Sequence, residues 1–241
     1  MRIAVISDIH GNLDALQQVL IDIDRSNIDA LLCLGDNIGY GPEPEAVINL
    51  IRERGIPSVM GNHEVTVKDR KLLDWFNPAA RQSLHKTFEL LSEDSVQFIL
   101  GLESYLVRFG CRFVHGFPPD SALLYLFQIP KHEFHRVFNQ MSEWICFVGH
   151  THDLKIIEFD GQTLTHAPLN EGITSLDTDT QYIINIGSVG QPRDGNNKAK
   201  YVIWDNSNNY INVRFIPYDI ASVVNKIIAA GLPKIHALRL W

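Results

Sequence analysis

Five short apolar runs in this chain each stop at residues that bind metals well. Ile3-Ala4-Val5-Ile6 leads to Asp8-Ile9-His10, and Leu31-Leu32-Cys33-Leu34 leads to Gly35-Asp36. Pro57-Ser58-Val59-Met60 leads to Gly61-Asn62-His63-Glu64. Arg112-Phe113-Val114 leads to His115-Gly116, and Trp144-Ile145-Cys146-Phe147-Val148 leads to Gly149-His150-Thr151-His152. Runs this short and this apolar suit strands covered on both faces. In open α/β sheets, chemistry gathers beyond the carboxyl ends of the strands. The five endings are therefore expected to meet at one place, although they are far apart in sequence.

The rest of the chain fits an α/β reading. Asn12 caps a helix with Leu13, Leu16, Val19, Leu20 and Ile23 on one face. A glycine- and proline-rich loop, Gly35 to Pro44, precedes a helix with Val47, Ile48 and Ile51 inward. Together with strands ending at Ile6, Leu34 and Met60 these read as βαβαβ units with right-handed crossovers. Helical insertions are expected near residues 65–101 and 118–142. Strands follow over 154–159, 162–167, 181–186, 200–205 and 210–216, with Asp160-Gly161 as a hairpin turn. A last helix begins near Asp219 and stops at Gly231 before Pro233. No linker or repeat interrupts the 241 residues, so one domain over 1–241 is the expectation.

Composition removes some partners. The net charge of −7 disfavours binding to nucleic acid or an anionic membrane. No apolar stretch approaches the roughly 18 to 20 residues that span a bilayer. Cys33, Cys111 and Cys146 show no CxxC spacing, and a strand opens the chain with no leader before it. Reduced thiols and a cytoplasmic location are the expectation.

Imidazole nitrogen and carboxylate oxygen together favour Mn, Fe, Co, Ni and Zn over Mg or Ca alone. The motifs hold enough donors for two divalent ions if one carboxylate is shared. Ions roughly 3.5 to 4 Å apart repel unless an anion lies between them, and Asp36 is well placed to bridge. Two such ions with Asp8 and Asp36 leave a pocket near +2, which hydroxide and a phosphodiester anion would neutralise. A monoester dianion would need a further cation, and Arg193 is the candidate.

With these residues placed, the chain resembles the calcineurin-like metallophosphoesterases. That family's order of DxH, GD, GNH[DE], a lone His and GHxH is intact here. Gly35-Asp36-Asn37-Ile38-Gly39-Tyr40-Gly41-Pro42, Phe76-Asn77-Pro78 and Ile186 to Asp194 are similar to a bacterial subgroup of small phosphoesterases. The resemblance implies a four-layer α/β/β/α sandwich of two mixed sheets flanked by helices. It implies that Asp8, His10 and His152 hold one ion, that Asn62, His115 and His150 hold the other, and that Asp36 bridges. It also implies that metal-bound hydroxide attacks phosphorus and that His63 is the general acid. Manganese is the expected metal, with Fe, Ni, Co or Zn as alternatives. One departure is Phe117 in Gly116-Phe117-Pro118, where relatives carry a small polar residue.

The expected substrate is a small phosphorylated molecule, first of all a nucleotide-like phosphodiester or phosphoanhydride. The alternatives are a phosphomonoesterase or protein phosphatase, and a catalytically silent scaffold with the same fold. Retention of His10 and His63 argues against the scaffold. Other residues carry blander expectations. His132 and His135 suit a solvated helix face, and His85, His166 and His236 suit structural or surface roles. Arg193 is either a substrate contact or an ion-pair partner of Asp194. Trp75, Phe76, Phe117, Tyr125 and Phe127 would wall a groove or, for most of them, pack the insertions.

Overall fold

In the computed structural model, which describes residues 1–241, apolar spacing sets each element in turn. β1 (Arg2–Ile6) is buried from Ile3 onward. α1 (Leu13–Asp24) turns Leu16, Val19, Leu20 and Ile23 inward, and the Asn12 side chain accepts from the Ala15 N–H at its start. β2 (Ala30–Cys33) precedes α2 (Pro44–Glu53), whose first turn holds Pro44 where no N–H is needed. α3 (Asn62–Lys68), a 3₁₀ turn over Arg70–Trp75, α4 (Pro78–Leu90) and α5 (Glu93–Leu100) follow. Next come β3 (Tyr105–Arg108), β4 (Cys111–Val114), a short 3₁₀ turn over Leu126–Gln128, α6 (Lys131–Gln140) and β5 (Ile145–Val148). The last third holds β6 (Leu154–Phe159), β7 (Leu164–Pro168), β8 (Gly172–Ser175), β9 (Gln181–Ile186), β10 (Ala199–Asp205) and β11 (Tyr210–Ile216). α7 (Ile220–Ala229) and α8 (Lys234–Leu238) close the chain.

Two mixed sheets result, in the orders β2-β1-β10-β11-β8 and β3-β4-β5-β9-β6-β7. Period-two alternation assigns the faces. Ile3 and Val5 of β1 meet Ile145 and Phe147 of β5 in a cluster between the sheets, joined by Trp204 and Val213. Ala4 and Ile6 point the other way, against Leu16, Val19, Val47 and Ile51 of the first two helices. Cys146 and Val148 of β5 likewise face Phe134, Val137 and Phe138 of α6. The layers are thus helix, sheet, sheet, helix, as expected. No helix is long and apolar enough to cross a membrane.

β1 and β2 run parallel in the first sheet, and β4, β5 and β9 run parallel in the second. The loops after all five strands therefore emerge on one side. Main-chain bonds then lock loops of the two sheets together: Val189 N–H donates to Ser7 O at 3.0 Å and Gly190 N–H to Asp8 O at 2.9 Å.

Several expectations change. The run ending at Met60 forms no strand; Ser58 and Val59 make only isolated bridges, to Cys33 and Glu103. The segment lies between two sheet edges and is claimed by both. The expected insertion over 118–142 is helical only in its last part, because its first residues loop back so that Gly116 N–H meets Ser121 O at 2.9 Å. β3, β8 and α8 were not expected. β3 is mostly exposed and turns into β4 through Phe109-Gly110, both at positive φ. β8 is a short, half-exposed edge strand. The three cysteines are buried and unpaired.

Gly190 has no room for a side chain, since a Cβ there would sit 1.7 Å from Ile9 O. Gly190→Ala is expected to cost about 2 to 3 kcal/mol. The melting temperature, measured with chelator present, should fall by roughly 5 to 10 °C. An unchanged melt would show that the Asp8 and Gly190 loops are not tightly apposed.

Candidate metal centre and substrate cleft

Six of the seven expected ligands follow closely on strands β1, β2, β4 and β5, whereas Asn62 opens α3. Asp8, His10, Asp36, His150 and His152 all have φ between 51° and 70°. Asp and His tolerate this left-handed region better than most residues, but it still costs about 1 kcal/mol or more each. The turns aim consecutive side chains at the same point.

That point is buried. Asp8, His115 and, to within 3%, His10, Asp36, His150 and His152 are shielded from solvent. Asp8, His10 and His152 form one group whose donor atoms lie within 4.8 Å of one another, and Asp36, His115 and His150 form a second. Asn62 Oδ1 lies 3.0 Å from His115 Nε2, inside the second group. Asp36 Oδ2 stands between the two groups, 3.7 Å from His10 Nε2 and 3.3 Å from His115 Nε2. His63, at the start of α3, presents Nε2 at 3.9 Å from the same oxygen.

Hydrogen bonds fix which ring nitrogens carry hydrogen. A carbonyl only accepts, so the nitrogen facing it must donate. His10 Nδ1 faces Ile38 O at 3.1 Å, His115 Nδ1 faces Leu34 O at 2.8 Å, and His152 Nδ1 faces Gln191 O at 2.5 Å. His150 is reversed, with Nε2 facing Leu123 O at 3.3 Å. In the neutral rings this leaves bare Nε2 atoms on His10, His115 and His152 and a bare Nδ1 on His150. These bare atoms face one another. His10 Nε2 and His152 Nε2 are 3.1 Å apart, as are His115 Nε2 and His150 Nδ1. Asp8 Oδ1, also buried, has no hydrogen-bond partner at all. Lone pairs pressed together out of water are unfavourable unless a cation lies among them. The donor set therefore fits two divalent ions.

Proton affinities in the metal-free chain reflect the same crowding. Burial pushes the Asp8 and Asp36 carboxyls up, but His152 beside Asp8, and His115 and His63 beside Asp36, hold both below the usual carboxylate range. Burial works against charge on His115, yet Asp36 outweighs it and raises the imidazole to about 9. Burial and the neighbouring His115 press His150 down to about 3. Burial, helped by His115, His152 and Arg193, takes His63 to about 4 against the pull of Asp36.

Glu64 was visible only as a motif letter, and the structure gives it a job. Its carboxylate accepts the N–H groups of Asp36 at 2.8 Å, Asn37 at 2.7 Å, Ile38 at 3.3 Å and Gly61 at 2.9 Å. It thereby shapes the loop that carries Asp36. The available signal was its place three residues after Gly61, the acceptor position of a capping box. Burial and the neighbouring Asp36 push this carboxyl up to about 7; where it is ionised it lowers the sequence-based charge of the loaded pocket by one, to about +1.

Tyr40 was also missed. It is 8% exposed at φ 60°, with its ring 4.4 Å from that of His10 and 4.6 Å from that of His63. His236, expected to be structural or at the surface, is buried and packs on Tyr40 at 4.6 Å. Arg193 is exposed at the rim and does not pair with Asp194, which instead meets the buried Lys200 at 2.8 Å. His132 is exposed, and His135 and His166 contact only Phe159 and Phe134 among the aromatic rings.

A cleft of about 360 Å³ opens beside the centre, lined by Tyr40, Asn62, Trp75, Phe76, Tyr125 and His150 among others. Of the five aromatics, Phe117 alone joins a hydrophobic cluster. Phe76 meets His63 edge-on at 5.1 Å, Tyr125 stacks on His150 at 3.7 Å, and Trp75 is 74% exposed. The two 3₁₀ turns, Arg70–Trp75 and Leu126–Gln128, bring these rings to the cleft instead of the core.

The profile of the calcineurin-like phosphoesterases matches residues 1–181. The chain belongs to that family. It is accordingly a metal-dependent phosphoric ester hydrolase with the family's fold. An uncharacterized protein of Methanocaldococcus jannaschii is 38% identical over 244 residues, covering 99% of this chain and 97% of its own. The crystal structure of a metallophosphoesterase from Sphaerobacter thermophilus superposes with a TM-score of 0.85 at 35% identity, covering 100% and 98% of the two chains. A hypothetical protein of Pyrococcus horikoshii shares the fold with a TM-score of 0.80 at 18% identity, covering 100% and 97%.

Glu64→Gln swaps one acceptor oxygen for an amide that faces N–H donors, leaving at least one of them unpaired. Metal affinity should drop roughly 10- to 100-fold although no donor to the ions is removed. Competition with a metal-sensitive chelator measures it, and wild-type affinity would mean that Glu64 does not shape the Asp36 loop.

Proposed function

We propose that this phosphoesterase uses two divalent ions to hydrolyse a small nucleotide-like phosphodiester or phosphoanhydride. Asp8, His10 and His152 would hold one ion, Asn62, His115 and His150 the other, and Asp36 both. The observation that carries the reading is the facing of bare imidazole nitrogens across 3.1 Å in two groups, with Asp36 between them. Mixed nitrogen and oxygen donors favour manganese or a neighbouring transition metal. Bound, such ions would neutralise charge on the phosphoryl oxygens and make water acidic enough to attack at neutral pH.

The chain's own residues account for the rest. His63 holds a proton at Nε2, the nitrogen that faces the centre, and passes it to the departing oxygen. Its pKa is low in the empty site, and an anionic phosphoryl group beside it raises that value by opposite charge. Gly39 lets the imidazole lie against the loop, since a Cβ there would be 2.0 Å from Nδ1. Phe76 shields the other side of His63 from water. Arg193 would contact the phosphate from the rim and restore the charge that Glu64 subtracts. The aromatic cleft reaches Asn62 and His150 and lies next to His63 through Phe76. A planar leaving group such as a nucleobase suits it, because bases stack on aromatic rings for roughly 1 to 3 kcal/mol each. That position favours the nucleotide-like ester over a phosphoprotein.

Asp36→Asn is expected to abolish hydrolysis of a generic chromogenic diester and to strip most of the bound manganese. Undiminished turnover in that variant would end the assignment. His63→Asn should slow kcat by roughly 10²- to 10⁴-fold while manganese content stays near that of the wild type. The deficit should be larger for alkyl than for nitrophenyl leaving groups, which need less protonation. Loss of metal in His63→Asn would make His63 a ligand and not an acid.

A further inference from the structure

Arg193 is exposed and forms no ion pair. Its neighbour Asp194 is committed to Lys200. One guanidinium nitrogen donates to Gln191 Oε1 at 2.9 Å, and Gln191 in turn receives the His152 ring through its carbonyl and donates its N–H to Ser188 Oγ at 2.8 Å. The guanidinium carbon lies 5.8 Å from the centroid of the Tyr40 ring, within the range where an aromatic face attracts a cation. The Arg193 guanidinium is therefore held between the Gln191 side chain, whose own carbonyl meets His152, and the ring of Tyr40.

Tyr40 is held from many sides. Its backbone occupies the left-handed region at φ 60°, where a bulky aromatic is rare, so the surroundings must enforce the conformation. Its N–H donates to Ser83 Oγ of α4 at 2.6 Å. Gly41, next in the loop, packs so closely on His10 O that a Cβ would lie 2.1 Å away. The ring is bounded by His10, His63 and His236, each with a centroid between 4.4 and 4.6 Å away. His236 comes from α8 and is fixed by Ala79 O at 3.3 Å from its Nε2. Thus α4 and α8, which carry no expected ligand, meet at one side chain that offers the centre no donor.

We infer that Tyr40 is a positioning residue: its ring face holds the Arg193 guanidinium across the mouth of the site, and Arg193 so placed grips the substrate phosphate from the side opposite the ions. This rests on the phosphoesterase reading above. The arrangement explains the chain's use of an arginine without an acidic partner. A carboxylate would neutralise it, whereas an aromatic face orients it and leaves its charge and N–H groups free for an anion. It also assigns specificity. A phosphate with two negative charges depends on Arg193 more than a diester with one.

The test uses manganese-loaded protein, with inorganic phosphate as the probe for calorimetry and nitrophenyl mono- and diesters for kinetics. Arg193→Gln should weaken phosphate binding roughly 10- to 100-fold. Tyr40→Leu should weaken it roughly 3- to 30-fold. Because Tyr40 acts through Arg193, the double variant should be no weaker than Arg193→Gln alone. Tyr40→Phe keeps the ring and removes only the hydroxyl, which also neighbours Arg193, and should bind phosphate more tightly than Tyr40→Leu. Both Tyr40→Leu and Arg193→Gln should raise KM for the monoester more than for the diester, with manganese content unchanged. Additive losses in the double variant, equal losses in Tyr40→Phe and Tyr40→Leu, loss of manganese in Tyr40→Leu, or wild-type phosphate affinity in Arg193→Gln would each overturn the inference. Absence of ester hydrolysis by the wild-type protein would instead strike the phosphoesterase reading itself.

Discussion

Imidazole lone pairs turned toward one another, with two carboxylates among them, are the interaction on which the rest of this structure depends. Four ring nitrogens are forced to be acceptors because main-chain carbonyls occupy the opposite edge of each ring. Left without cations, such a cluster would have to gather protons or open. His115 holds a proton more tightly than a free imidazole, through Asp36. His10, His63 and His150 are all pushed toward neutrality. The chain has thus been folded around positive charge that its own side chains do not supply.

Holding such a cluster has a structural cost, and the fold spreads it. Five of the seven expected ligands take left-handed backbone conformations, which the flanking glycines make reachable. Gly61 and Gly149 permit close approaches as well: a Cβ on either would lie 2.1 to 2.2 Å from side-chain oxygens of Asp36 or Ser7. Glu64 collects four main-chain N–H groups that the Asp36 loop could not otherwise satisfy. Support of this kind fixes donor positions before any ion arrives, and it uses backbone groups, which move less than side chains.

Other elements pack around this rigid centre. The aromatic cleft opens beside the centre with Tyr40 in its lining, Arg193 lies near the Tyr40 ring, and His236 of α8 packs on the same ring. Lys226 of α7 ties that helix to the start of α1 and α2 through Asp14 at 2.5 Å and Glu43 at 2.8 Å. Phe117 shows how a change near a ligand is absorbed: its ring packs against Phe134 at 5.2 Å and stays out of the cleft.

The strand-and-ligand order was legible in the chain because both signals are local. Continuous apolar runs mark β1 and β5 as strands covered on both faces, and a ligand-type residue follows each within a few positions; the layered α/β/β/α fold and the grouping of Asp8, His10, Asp36, Asn62, His115, His150 and His152 were implied by the family resemblance that this order carries. Residues 57–60 misled for a physical reason: their apolar pattern is that of a strand, but two sheet edges compete for them. Tyr40, Glu64 and His236 could not be found locally, since their importance lies in contacts with residues far along the chain. The sequence by itself determined which residues could serve as metal donors and most of the strands that bring them together. Tertiary structure alone decided which ring nitrogen of each histidine faces inward and which aromatics leave the core for the cleft. It also decided what Arg193 rests on, because each of these depends on a carbonyl, an edge or a ring face that only folding brings near.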